Sequence, residues 1–147
     1  MSRLSAKEKI SCTLFLFLIG GGLYNLIEIL WRGFTHWTMF IVGGLCFLVI
    51  GRIHETVRRG MVIRCTLCAL AITLIEFVSG CLFNILLKMD VWDYSFLMFN
   101  IMGQVSLLYT VLWGLLSAAA FPVYRFFVGN LTCKAGGKRT AIRIPAK

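Results

Sequence analysis

Apolar residues run almost unbroken through four stretches, residues 10–31, 37–53, 61–87 and 96–121, separated by short polar turns. Each approaches the roughly 20 residues needed to cross about 30 Å of hydrocarbon, the second being the shortest. Runs such as Leu14-Phe15-Leu16-Phe17-Leu18-Ile19 do not alternate, so they do not fit the strands of a closed barrel. A backbone amide in lipid must find its partner within its own segment, and helices are what remain. The pattern therefore predicts an all-α integral membrane protein of four transmembrane helices arranged as two hairpins, spans one and two, then three and four. Ser5-Ala6-Lys7-Glu8 has the form of a capping box and opens the first helix. That helix is too long for a signal-peptide core and is expected to stay as an uncleaved anchor.

Cations fix the expected topology. Arg3, Lys7 and Lys9 precede span one, and Arg52, Arg58, Arg59 and Arg64 lie between spans two and three. Arg125, Lys134, Lys138, Arg139, Arg143 and Lys147 follow span four, whereas the other two connections hold only Arg32 and Lys88. This bias places both termini in the cytoplasm. It divides the chain into a membrane domain, residues 1–128, and a basic, mobile cytoplasmic tail, residues 129–147, suited to anionic headgroups.

Composition narrows the class. The 147 residues are 59% hydrophobic and 14% charged, with a net charge of +9. A soluble chain this short could not bury so much apolar area, and a nucleic-acid binder would carry its positive charge on a polar folded surface. No nucleic-acid partner is expected; membrane lipids are.

The polar residues inside the spans carry the candidate chemistry. Asn25, Glu28 and Arg32 share one face of the first helix, Glu76, Gly80 and Asn84 one face of the third, and Asn100 and Gln104 one face of the fourth. In the expected orientation all of them lie at or above the midplane, Glu76 about 16 Å below the outer end of its helix. Charged groups at such depth are costly and usually face a bundle interior or water. Glu28 has a partner one turn on in Arg32. Glu76 has none at its depth, and is expected neutral and hydrogen-bonded to an Asn or Gln. Each outer turn leads into an aromatic-polar cluster, Thr35-His36-Trp37-Thr38 and Trp92-Asp93-Tyr94-Ser95. Thr35, Asp93 or Ser95 suits helix capping, and Trp37, Trp92 and Tyr94 suit the interfacial belt. Polar glue between helices explains some of these residues; their convergence on one end favours an outward-facing pocket.

Other signals are weaker. Gly20-Gly21-Gly22 and Gly43-Gly44 favour close helix approach. Cys65-x-x-Cys68 lacks a second ligand pair, so no metal or cofactor is expected. His36 is available as an acid, base or ligand at the outer cluster, and His54, among arginines, is expected solvated. No Walker motif, serine elbow or HExxH is present.

The strings Thr73-Leu74-Ile75-Glu76-Phe77, Trp92-Asp93-Tyr94-Ser95, Phe99-Asn100-x-x-Gly103 and Trp113-Gly114 resemble a family of small bacterial membrane proteins catalogued as CmpB-like ABC-transporter permeases. Tyr24-Asn25-Leu26-Ile27-Glu28, Trp31-Arg32-Gly33, Thr35-His36-Trp37-Thr38-Met39 and Gly43-Gly44-Leu45 resemble one branch of it. The likeness covers about residues 20–117. Some relatives carry a basic residue where this chain has Gln104 and an acidic one around Asn84. The resemblance implies four helices and a bacterial plasma membrane, and its motif residues include Glu28, Arg32, Glu76, Trp92, Asp93 and Asn100.

Three functions fit. The first is a transport-related or solute- or lipid-binding component, acting as a homo-oligomer or beside a larger membrane partner. Its pocket would use Asn25, Glu28, Arg32, Glu76, Asn84, Asn100 and Gln104, with His36, Trp37, Trp92, Asp93 and Tyr94 at the mouth. The second is an interfacial enzyme on a lipid-linked substrate, using His36, Asp93, Glu28 and Arg32. The third is a structural or assembly subunit whose polar residues are glue.

Overall fold

The computed structural model describes residues 5–140, with side chains placed as far as Leu131. Four of its helices are long and apolar enough to cross a membrane. Helix α1 (Ala6–Arg32) starts with both halves of the capping box in place: the Ser5 amide donates to Glu8 Oε2 at 2.8 Å and the Glu8 amide to Ser5 Oγ at 3.4 Å. It stops at Gly33, whose φ of 78° suits a residue without Cβ. Helix α2 (Trp37–Thr56) follows after a four-residue turn, capped by the His36 ring rather than by Thr35.

Helix α3 (Met61–Gly80) continues as a π-helical turn, Cys81–Leu86, closed by a bond from the Leu87 amide to the Leu82 carbonyl. Helix α4 spans Leu107–Thr140. The expected fourth span therefore begins eleven residues late, since 96 to 106 is not helix. In its place stands a small hairpin, β1 (Asn100–Ile101) antiparallel to β2 (Val105–Ser106), in register Asn100↔Ser106 and Ile101↔Val105. The physical reason is local: Met102 and Gly103 both take positive φ in the turn. Asn100 also spends its amide on the Leu97 carbonyl and its Oδ1 on the Gly103 amide, competing with a helical ladder.

At the other end, residues 129 to 140 extend α4 rather than starting a loose tail. Adding a residue to an existing helix costs far less than nucleating one. The remainder of the expected tail, 141–147, lies outside the described residues.

Helices α1 and α2 meet along a seam of glycines and aromatics. A Cβ on Gly20 or Gly44 would collide with Phe47 or Phe17, one on Gly43 with Tyr24, and one on Gly21 would stand 2.5 Å from the Phe40 carbonyl oxygen. Each helix thus receives the other's rings where it has no side chain. The core cluster of Val42, Cys46, Ile50, Cys68, Ile72 and Phe121 fills the middle of the bundle.

Helices α1 and α4 behave differently. They touch at one end, where Phe15 stacks edge-to-face on Phe127 at 6.1 Å and Tyr124 packs with Cys12, Leu16 and Phe47. Pro122 lies inside α4 just beyond that contact. Toward the 87–106 connection the two helices part. At the clamped end Tyr124 also donates to Glu55 at 3.1 Å, and His54, rather than being solvated, stacks on Phe121 at 4.8 Å and meets the Arg64 guanidinium at 3.0 Å.

Candidate functional site: a cleft between the first and last helices

Where α1 and α4 part, they enclose a cavity of about 580 Å³ roofed by the 87–106 connection. Its polar wall comes from α1. Glu28, 6% exposed, forms a 2.9 Å ion pair with Arg32 one turn later, so both occupy one face. The pair is tied at both ends. The Thr35 hydroxyl donates to Glu28 Oε2 at 2.6 Å and lies 3.2 Å from Asn25 Oδ1. The second Arg32 amino group donates to the Val91 carbonyl at 2.9 Å, which fixes the roof to α1. A buried ion pair is tolerable when its remaining hydrogen-bonding capacity is met in this way.

The roof is held by a separate polar knot. Asn84, on the π-helical turn, accepts from the Val91 amide at 2.7 Å and donates to the Trp92 carbonyl and to Gln104 Oε1 at 2.9 and 2.8 Å. Trp92 Nε1 donates to the Gln104 carbonyl at 2.9 Å, and Gln104 Nε2 donates to the Met102 carbonyl. The Gln104 side chain sits against Gly80, where a Cβ would stand 2.5 Å from its Oε1. The wider π-turn and the bare Gly80 together let the last turn of α3 serve as anchor for the roof. Tyr94 stacks on Tyr109 of α4 at 4.4 Å, closing the knot from the other side.

Of the residues singled out by sequence, Glu28, Arg32, Trp92, Asp93 and Tyr94 line the cavity. Asn25, Asn84, Asn100 and Gln104 stand outside its lining and bond to the framework around it. His36 caps α2 through Thr38, and Trp37, 60% exposed, packs on Phe83 and the His36 ring. Asp93 is exposed and accepts from the Ser95 amide and hydroxyl, which hold its carboxyl below the usual carboxylate range. It remains ionised at neutral pH.

Glu76 is 1% exposed. One of its oxygens accepts from Trp113 Nε1 at 2.6 Å, and the other is buried without a hydrogen-bond partner. Its partner is thus a tryptophan of α4, not the expected Asn or Gln. Trp113 lines the cavity and stacks on Tyr24 at 5.6 Å, so Glu76 stands behind the cavity wall. Tyr109, Trp113 and the exposed Trp31 and Phe96 also line the cavity. Sequence reasoning did not select these four, because aromatic residues in a span read equally well as lipid-facing or core. Among the described residues, no three His, Cys, Asp or Glu gather where they could hold a metal ion.

The cavity does not end at Trp113. A narrower apolar pocket of about 190 Å³ shares Tyr24, Ile27, Trp113, Leu116 and Ala119 with it and continues to Gly20 and Val123. The two form one wedge, polar and wide under the roof, apolar and narrow toward Tyr124.

Four helices long and apolar enough to cross a membrane, with a side cleft and a partly buried ion pair in its wall, describe a small multi-span membrane protein. Residues 15–143 match the family described as "Putative ABC-transporter type IV", and the chain belongs to that family. No curated protein matched the chain, and no solved structure did.

Proposed function

We propose that this chain is a multi-pass component of an ABC-transporter-type system in the bacterial plasma membrane, and that it holds its cargo in the α1–α4 cleft. The observation that carries this reading is the Glu28–Arg32 pair, built into the wall of an otherwise mostly apolar cavity and secured by Thr35 and Val91. Ionisable residues at membrane depth are retained where they do something a hydrophobic pair would not. The cation bias along the sequence supports a cytoplasmic position for both termini and an outward-facing mouth. Glu28, Arg32, Trp92, Asp93 and Tyr94 contact the cargo. Glu76, through Trp113, is the protonatable element that couples the bundle centre to the cavity wall. With no nucleotide-binding motif of its own, the chain works as a homo-oligomer or beside a larger partner.

The test is mass spectrometry of lipids and small molecules that co-purify with the full chain, compared with Arg32→Gln and Glu28→Gln variants of unchanged melting temperature. A stoichiometric occupant depleted about tenfold in either variant, as for the loss of one charge-assisted contact, is the expected result. The same occupant in all three proteins, or none in any, overturns it. A purely structural role is favoured by one observation, the Asn84–Gln104 knot, and is proposed for those two residues and for Asn25 and Asn100.

A further inference from the structure

The shape and lining of the wedge speak to what it holds. Its wide end carries three charged groups, Glu28, Arg32 and Asp93, and its narrow continuation is almost wholly apolar. From Tyr109 to Val123 the lining of α4 runs through fourteen residue steps, about 21 Å along the helix. That exceeds the ~15 Å depth of one leaflet of a ~30 Å core. The lining of the larger cavity comes only from α1, α4 and the roof, with no residue of α2 or α3. Its lining residues Trp31, Leu115 and Phe96 are 72%, 67% and 78% exposed, and Leu115 lies within the apolar stretch of α4 long enough to cross a membrane. The cleft is therefore open sideways to lipid, not only upward to water.

We propose that the cleft takes a zwitterionic, amine-bearing phospholipid, with one acyl chain in the groove between Ile27, Leu116 and Ala119 and its headgroup among Arg32, Asp93 and the roof aromatics. This rests on the reading of the cleft as the cargo site and names the class of cargo. Arg32 uses one donor on Glu28 and one on Val91, and its fork has further N–H groups for a phosphate. Asp93, kept ionised by Ser95, faces the same space and supplies the counter-charge for an ammonium group. Trp31, Trp92 and Tyr94 line the same end, and aromatic faces attract ammonium. With two carboxylates against one guanidinium, a purely anionic head meets net repulsion there, whereas a zwitterion meets complementary charge. The narrow end runs into the packed cluster of Leu16, Phe47 and Tyr124, with Val123 against it, so a chain enters from the side and stops.

The full chain is placed in nanodiscs doped with phosphatidylethanolamine or phosphatidylglycerol bearing a photoactivatable group on one acyl chain, and labelled residues are mapped by mass spectrometry. The ethanolamine probe is expected to label Ile27, Leu116 and Ala119 above the outward face of α3 at Leu70, Leu74 and Val78. Ala119→Phe, which fills the groove from an exposed position, lowers that labelling about tenfold, and Asp93→Asn erases the preference for ethanolamine over glycerol. Equal labelling of cleft and α3 face, or equal labelling by both probes in the unaltered protein, overturns the proposal. So do cross-links joining α1 of one copy to α4 of another, which mean that a second chain covers the cleft. Should Ala119→Phe not fold, the residue map of the unaltered protein decides alone. A water-soluble occupant lost in Arg32→Gln, without lipid labelling, would sink this inference and leave the cargo site standing. No occupant in any protein would sink both.

Discussion

Helix α1 has two partners, and it meets them in opposite ways. Against α2, its glycines accept Phe47 and Phe40, while Tyr24 and Phe17 enter the bare positions of the facing helix, so the two helices approach closely there. Against α4, Phe15 meets Phe127, Tyr124 packs among α1 residues and Tyr24 stacks on Trp113, and beyond Pro122 the helices separate around a cavity of about 580 Å³. In lipid, apolar surface gains little by hiding from apolar solvent, so helices associate where small residues permit close approach. Glycine is concentrated on the α1–α2 seam and absent from the wider part of the α1–α4 lining. In this bundle the interface that closes is the one that carries the glycines.

Substitutions can break that contrast. Gly21→Val, with its Cβ forced toward the Phe40 carbonyl oxygen, is expected to cost about 3 kcal/mol, since backbone cannot yield cheaply. Ala119→Val, the same kind of enlargement on the open side, is expected to change stability by less than about 0.5 kcal/mol. Melting curves in one detergent measure both, and equal losses would abolish the distinction. Next in size, Asn84→Ala strands the Val91 amide and the Trp92 carbonyl, at about 2 kcal/mol. Hydrogen exchange at Val91 should accelerate while the α1–α2 seam stays protected. If the seam loosens equally, roof and bundle are one unit.

Trp113→Phe leaves the buried Glu76 without its indole donor and is expected to lower stability by about 1–2 kcal/mol. Glu76→Gln, which keeps an acceptor for Trp113, should cost less; the reverse order, read by the same melts, would show that the indole bond is not what matters. The smallest effect concerns Asp93. Its carboxyl titrates below the usual range because Ser95 bonds the ionised form, so that contribution is present above the unfolded-state value of about 3.9 and fades as pH falls through the folded value. Ser95→Ala should move the titration up toward about 3.9, followed by carboxyl NMR shifts.

The helices were legible because hydrocarbon thickness sets a length that runs of apolar residues either meet or miss. Glu28 and Arg32 were legible because their spacing guarantees that they meet on one helix. Residues 96 to 106 misled for the same reason that the spans succeeded: Phe96, Leu97, Met98 and Phe99 continue the apolar run, and only Asn100 and Gly103 mark the hairpin. Thr35 was read as a helix cap because of its position, yet it bonds Glu28 across the turn while His36 caps α2. Contacts such as Glu76 with Trp113, 37 residues apart, leave no periodic trace in one sequence. The cleft is a relation between the first helix and the last, so no local pattern could announce it.

Pro122 gives the wedge a mechanical character. A proline within a helix removes one backbone hydrogen bond and bends the helix there. In α4 it falls between a segment clamped through Tyr124 and Phe127 and a segment, reaching Leu107, that packs on α3 through the Trp113–Glu76 and Thr110–Thr73 bonds. The arm is fifteen residues, about 22 Å. Moving together with α3, it would act as a lever with its fulcrum at the clamped end, each degree of bend there displacing its tip by about 0.4 Å at this rise. A shift of a few degrees, too slight to disturb any contact near the pivot, thus resets the width of the mouth by more than an ångström.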